Sequence, residues 1–219
     1  MSPARPPVDA LDDKDRALVR RRLGNALVRG TPRHLRFRWP SSATPSAAVV
    51  LILCMVDSRL SVLFEERNNR LQSHGGEVCF PGGKADPADP SLEHTALRET
   101  HEEIGIAPED IEVLGRLPPV PNKDSSLKVH SLIGALKNPL TSARDLNCNR
   151  DEVHRVFALP LGHFYDPQMR ESQALRSGVR IPAYQTDKPG LRVWGLTAFI
   201  LHEVLRRLGD AGYDSPPRL

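Results

Sequence analysis

Three glutamates, Glu99, Glu102 and Glu103, stand at a spacing that lets their carboxylates act together. On a helix each residue turns by about 100°. Glu103 then lies about 40° from Glu99, and Glu102 about 60° from it on the other side, so one helix edge carries all three acids. Like charges at these spacings cost an isolated helix about 0.2–0.5 kcal/mol per pair. A divalent cation reverses that cost. Mg²⁺ is a hard ion that takes carboxylate, water and phosphate oxygens. Alternatively, such a patch is the solvated side of an ordinary surface helix. Arg98, beside Glu99, can pair with a carboxylate and hold the cluster in place. Upstream, Gly82 and Gly83 permit backbone conformations that let a phosphate approach the main chain.

These residues need a framework. The spacing predicts a helix that starts at Ser91 or Asp89 and stops at Gly105, with Leu97, Thr100 and Ile104 as its packing face. Strands are predicted at Ala47–Val56 and Leu60–Glu66, joined by a turn at Asp57-Ser58-Arg59. Residues 68–89 read as loop. Further strands are expected at Ile111–Leu117, Leu127–Leu136, Val153–Leu159, Val179–Tyr184 and Leu191–Trp194, with a short segment near Leu161–Tyr165. A last helix runs from Gly195 to about Leu208. Mixed strands with few helices point to an α+β fold built as an α/β/α sandwich. The expected organisation is a proline-rich, disordered segment at 1–11, then a helix and linker at 12–45. A main domain at 46–209 and a polar tail at 210–219 follow. The first helix would run from Asp12 or Asp13 to Gly30, and Pro32, Pro40 and Pro45 extend the linker.

Composition narrows the function classes. The 219 residues are 39% hydrophobic, enough for a packed core. The longest apolar run, Ala47–Val56, falls short of the ~20 residues of a membrane-spanning helix. Aromatics at 5% are too sparse for stacking on single-stranded nucleic acid. Cys54, Cys79 and Cys148 form no CxxC pair, which argues against a zinc site or disulfide framework and points to a reducing compartment. Nine basic residues between Lys14 and Arg38, against Asp15 alone, suit a solvated amphipathic helix, an anion-binding surface, a membrane face or a targeting element. Asp9, Asp12, Asp13 and Asp15 argue against a mitochondrial presequence, and the terminal Pro217-Arg218-Leu219 only loosely matches a peroxisomal address.

Gly83 through Ile106 resembles the Nudix box, with Arg98-Glu99-Thr100-His101-Glu102-Glu103-Ile104-Gly105 as its core. Pro90 stands where the box has a glutamate, the glycine is one residue farther from the arginine, and Asp89 is the nearest acid. Leu63-Phe64-Glu65-Glu66-Arg67, Leu71, His74, Gly76 and Phe80-Pro81-Gly82-Gly83 are similar to the coenzyme A diphosphatases. So are Asp151-Glu152-Val153, Val156–Pro160 and Val193–Ala198, which most resemble the mitochondrial animal branch. Gln72, Asn68 and Glu77 depart from that pattern. The resemblance implies a Nudix fold with a catalytic loop-helix-loop and a diphosphatase using Mg²⁺ or Mn²⁺. Its substrate would be coenzyme A or acyl-CoA, with another Nudix substrate such as ADP-ribose or NADH, or a non-catalytic binding module, as alternatives. Glu99 and Glu103 would be ligands, and Glu102 a ligand of a second ion or the base. Arg98 would orient Glu99. Arg67, Arg70, His74, Gly82 and Gly83 would contact substrate, with Arg67 or Arg70 taking the 3′-phosphate. Glu65 and Glu66 are expected at a solvent-facing strand end. The compartment implied is the mitochondrion, with the peroxisome and cytoplasm as alternatives, and the oligomeric state is left open.

Overall fold

The apolar run from Ala47 to Val56 carries no charge on either side, and its burial shows why. In the computed structural model, which describes residues 37, 39–41, 43–174, 180–188 and 190–210, it forms β1 (Ser46–Val56). Ala48, Val50, Ile52 and Cys54 enter one core, while Ala47, Leu51, Leu53 and Met55 enter another on the opposite face. A strand buried on both faces needs no alternation of apolar and polar residues.

β1 organises a mixed sheet. Its other strands are β2 (Arg59–Arg67), β3 (Val78–Cys79), β4 (Gly82–Lys84), β5 (Ile111–Arg116), β6 (Val120–Pro121), β7 (Lys128–Leu136) and β8 (Val153–Pro160). β1 runs parallel to β7 and antiparallel to β2. β5 and β6 extend the β7 side, and β8 lies along β2. Asp57 and Ser58 both have positive φ, 49° and 61°, as a two-residue hairpin of the primed type requires. Arg59 already pairs with Val56, so the turn is one residue shorter than expected.

The sheet opens where the site will form. β1 and β2 pair only from Ile52/Leu63 to the hairpin. Beyond that they part, and residues 78–84 enter the gap, β3 pairing with β2 at Glu65 and Glu66 and β4 pairing with β1 at Ala47–Val49. The loop expected at 68–89 is therefore corrected to include two short strands. Phe80 pins this segment by stacking on Phe64, with centroids 5.2 Å apart; Phe64 also packs on Phe157 and Phe164.

Helices cover both faces. α1 (Leu92–Ile104) contributes Ala96 and Ile104 to the core under one face. α2 (Gly195–Asp210) sends Ala198, Leu201, Val204, Leu205 and Leu208 into the other. A separate antiparallel sheet of β9 (Arg170–Ala174), β10 (Arg180–Gln185) and β11 (Arg192–Val193) joins that second core through Tyr184 and Val193. The architecture is α+β, as expected. The segment 1–11, the predicted helix to Gly30 and the tail beyond residue 210 lie outside the described residues.

Local chemistry fixes both ends of α1. The Ser91 hydroxyl accepts the His94 N–H at 3.1 Å, and Gly105 closes the helix at φ 73° while donating its N–H to the His101 carbonyl. Ser91→Ala should lower unfolding free energy by about 1 kcal/mol in urea denaturation, the usual cost of losing such a cap.

Candidate active site

The buried side of α1 comprises Thr95, Ala96, Thr100, Glu103 and Ile104. The packing expected of Leu97, Thr100 and Ile104 is found: Thr100 and Ile104 are buried and Leu97 lies half-buried against the same core. Glu103, expected on the charged edge, is instead only 2% exposed. The acidic edge thus turns inward at Glu103 and outward at Glu102, which is 51% exposed, with Glu99 between them at 18%.

Glycine makes that inward turn possible. The Gly82 N–H donates to Glu103 Oε2 at 2.8 Å. The Glu99 carboxylate lies against Gly83, where a Cβ would stand 2.4 Å from its carbon. At Gly82, with φ 142°, a Cβ would reach within 2.2 Å of the Ala48 carbonyl oxygen. Both glycines belong to β4 and are held by pairing with β1.

Arg98 ties the remaining acids together. Its Nε and Nη2 grip Asp89 at 3.1 Å each, while Nη2 also reaches Glu99 at 2.9 Å and Nη1 reaches Glu102 at 2.9 Å. Two-point pairing fixes the plane of the guanidinium as well as its position. Asp89 in turn accepts from the Thr95 hydroxyl and the Asp86 N–H and pairs with the His94 ring. The sequence offered Asp89 only as a possible start of the helix, a place that Ser91 takes. The structure makes Asp89 the anchor of Arg98.

β2 supplies a second layer of charge. Glu65 and Glu66, expected at a solvent-facing strand end, are both buried, because β3 and β8 flank them on either side. Glu66 pairs with Arg155. Glu65 Oε1 accepts from the Cys79 thiol at 3.2 Å. Arg67 Nη1 stands 3.5 Å from Glu103 and 3.9 Å from Glu65. Glu152, half-buried just before β8, bears electrostatically on both Glu65 and Glu99. Arg67, Gly82, Gly83, Arg98, Glu99, Glu102 and Glu103 therefore come together. Arg70 and His74 lie exposed on the turn between β2 and β3, where the His74 ring meets Glu77 at 3.0 Å.

The electrostatics follow from this enclosure. Burial, then repulsion from Glu65, raises the Glu103 carboxyl well above the usual range, against the pull of the Gly82 N–H and Arg67. Burial likewise raises Glu65, opposed by the Cys79 thiol and Arg67. Glu99 is raised by burial and drawn back by Arg98. Asp89 is held well below the usual range, first by its hydrogen bonds from Arg98.

Among the described residues no three His, Cys, Asp or Glu side chains converge as a finished cation cage. Arg98 bridges Glu99 and Glu102, and Arg67 lies on Glu103. The donor chemistry nevertheless fits Mg²⁺ or Mn²⁺: the oxygens are hard, and a buried carboxylate whose charge is disfavoured gains from a cation.

Fold and site together define an α+β domain with an acidic helix laid against a glycine-bearing strand. Comparison with known proteins identifies its family. The NUDIX domain profile matches residues 44–175. The chain is 39% identical over 198 residues to the human protein named mitochondrial coenzyme A diphosphatase NUDT8, covering 88% of this chain and 79% of that one. It is 33% identical to Nudix hydrolase 3 of Caenorhabditis elegans, over 83% of this chain and 80% of the other. A MutT/nudix family protein from Enterococcus faecalis shares the fold, with a TM-score of 0.51, 19% identity and coverage of 88% of this chain and 75% of that one. The chain belongs to the Nudix hydrolases and is a pyrophosphohydrolase.

The raised carboxyls set a pH dependence. Free glutamates titrate near 4.3, so between about pH 5 and pH 8 the folded protein holds more protons than the unfolded chain, and stability falls as pH rises through that window. In chelator, Tm should drop across it. Glu103→Gln should flatten the drop, and an unchanged slope would exclude Glu103 as a source.

Proposed function

We propose that this Nudix hydrolase cleaves the diphosphate of coenzyme A and acyl-CoA, using Mg²⁺ or Mn²⁺, to give 4′-phosphopantetheine or its acyl form and adenosine 3′,5′-bisphosphate. The observation that carries the chemistry is the seating of Glu99 on Gly83 and Glu103 on the Gly82 N–H, which gathers α1 carboxylates at the opening between β1 and β2. The substrate rests on likeness to the human and mouse proteins named coenzyme A diphosphatases, 39% and 37% identical. Those names also support a mitochondrial location. The catalytic unit is assigned to residues 46–209.

When bound, the cation neutralises diphosphate charge and lowers the pKa of attacking water. Glu99 and Glu103 would hold it. Glu102, the most exposed of the three and fixed by Arg98, completes the set as a second-ion ligand or accepts the water proton. Arg98 keeps Glu99 and Glu102 at a constant separation, braced from behind by Asp89. The non-glycine side chain that Gly83 lacks would displace Glu99. Arg67 is already committed to two carboxylates and must loosen from them to meet a phosphate. Exposed Arg70 meets the 3′-phosphate without that cost, and His74 borders the same turn.

A panel of coenzyme A, acetyl-CoA, 3′-dephospho-coenzyme A, ADP-ribose and NADH, assayed with Mg²⁺ and with Mn²⁺, tests the assignment. The expected order places the coenzyme A compounds first and has 3′-dephospho-coenzyme A turning over more slowly. Preference for ADP-ribose or NADH would transfer the enzyme to another Nudix substrate class. Glu103→Gln should lower kcat by at least about a hundredfold, on the scale of other preorganised electrostatic groups, with the fold retained.

A further inference from the structure

Glu65 is fully enclosed, and its surroundings do not satisfy it. One oxygen, Oε1, takes the weak thiol donor of Cys79 and the distant Arg67 Nη1. The other, Oε2, is buried with no hydrogen-bond partner, and it is the one carboxylate oxygen so placed among the described residues. Glu66, next in the chain, shows the contrast, since its carboxylate is met by Arg155. Leaving a carboxylate oxygen idle in the interior is unfavourable, and more so beside other acids.

Its position says which ligand would satisfy it. Along β2 alternate residues share a face, and Leu63 lies in the core beneath α1 with Ala96 and Ile104. Glu65 and Arg67 continue that row toward the opening between β1 and β2. Arg67 Nη1 lies within 4.0 Å of Oε1 of both Glu65 and Glu103, so the two carboxylates face each other across one nitrogen. One guanidinium cannot balance both charges, and Glu99 adds a third nearby. A divalent cation supplies the missing positive charge and an acceptor for the idle oxygen.

We propose that Glu65 is a further oxygen ligand of the divalent-cation site, reaching from β2 toward Glu103 and Glu99 of α1 as Arg67 withdraws. This rests on the cation-dependent reading above. It assigns the site a wall that the three helix acids alone lack, and it gives Arg67 the role of a counterion that occupies the carboxylates until the cation arrives.

The test is Mn²⁺ binding to the full chain, followed by electron paramagnetic resonance, with Tm measured in chelator and in Mn²⁺. Glu65→Gln should keep or raise Tm in chelator, because a buried charge is removed. It should bind Mn²⁺ at least about tenfold more weakly, since even supporting residues of metal sites reach that effect, and lose most of the Mn²⁺-dependent rise in Tm. Unchanged Mn²⁺ affinity, or a fall in Tm equal in chelator and in Mn²⁺, would overturn the proposal. Glu65→Asp retracts the carboxylate by one methylene and covers the case in which the glutamine variant does not fold; it too should bind more weakly, and wild-type affinity would count against a ligand role. Glu103→Gln separates the two levels. If it loses Mn²⁺ while Glu65→Gln keeps it, Glu65 alone is excluded. If the wild-type chain itself takes up no Mn²⁺, the cation site as a whole is wrong.

Discussion

Negative charge drawn into a partly enclosed space is the constraint around which this molecule is built. Four glutamates, Glu65, Glu99, Glu103 and Glu152, bear on one another where β1 and β2 part. Water is largely excluded from Glu65 and Glu103, so repulsion there is weakly screened. Two arginines oppose it from opposite sides. Arg67 works from within the sheet, and Arg98 works from the outer edge of α1 with Asp89 behind it. Neither completes the balance, which leaves the enclosed carboxylates short of positive charge.

The rest of the fold serves that placement. The two-faced burial of β1 fixes the sheet, and the short hairpin fixes where β2 begins. Phe80 stacked on Phe64 holds the inserted segment, so that Gly82 and Gly83 arrive with their backbones, not side chains, against the acids. A capped helix laid over the same face completes the arrangement. The glycines thus act through close packing: one donates an N–H to Glu103 and the other leaves room for Glu99.

Much of this was legible in the residues. Long strands with strong apolar character, the hairpin, and α1 between Ser91 and Gly105 all carry local signals that tertiary context did not override. The Arg98–Glu99–Glu102–Glu103 spacing identified the helix edge. Hidden features were those set by distant partners. β3 and β4 are too short to show a period, and they exist because β1 and β2 diverge. Glu65 and Glu66 look like a solvated strand end until two neighbouring strands enclose them. Helical periodicity placed Glu103 beside Glu99 but could not show that Gly82 would accept it into the interior. Asp89 gave a faint signal as an acid just before the helix, yet its grip on Arg98 depends on a side chain nine positions away.

In the proposed reaction the carboxylates of α1 gather a divalent ion at the glycine strand. Diffraction from crystals soaked in Mn²⁺, recorded at the manganese absorption edge, addresses it without reference to any substrate. An anomalous peak within bonding distance of the Glu99 and Glu103 carboxylates is the expected result. Anomalous density located only at sites remote from both residues would contradict it.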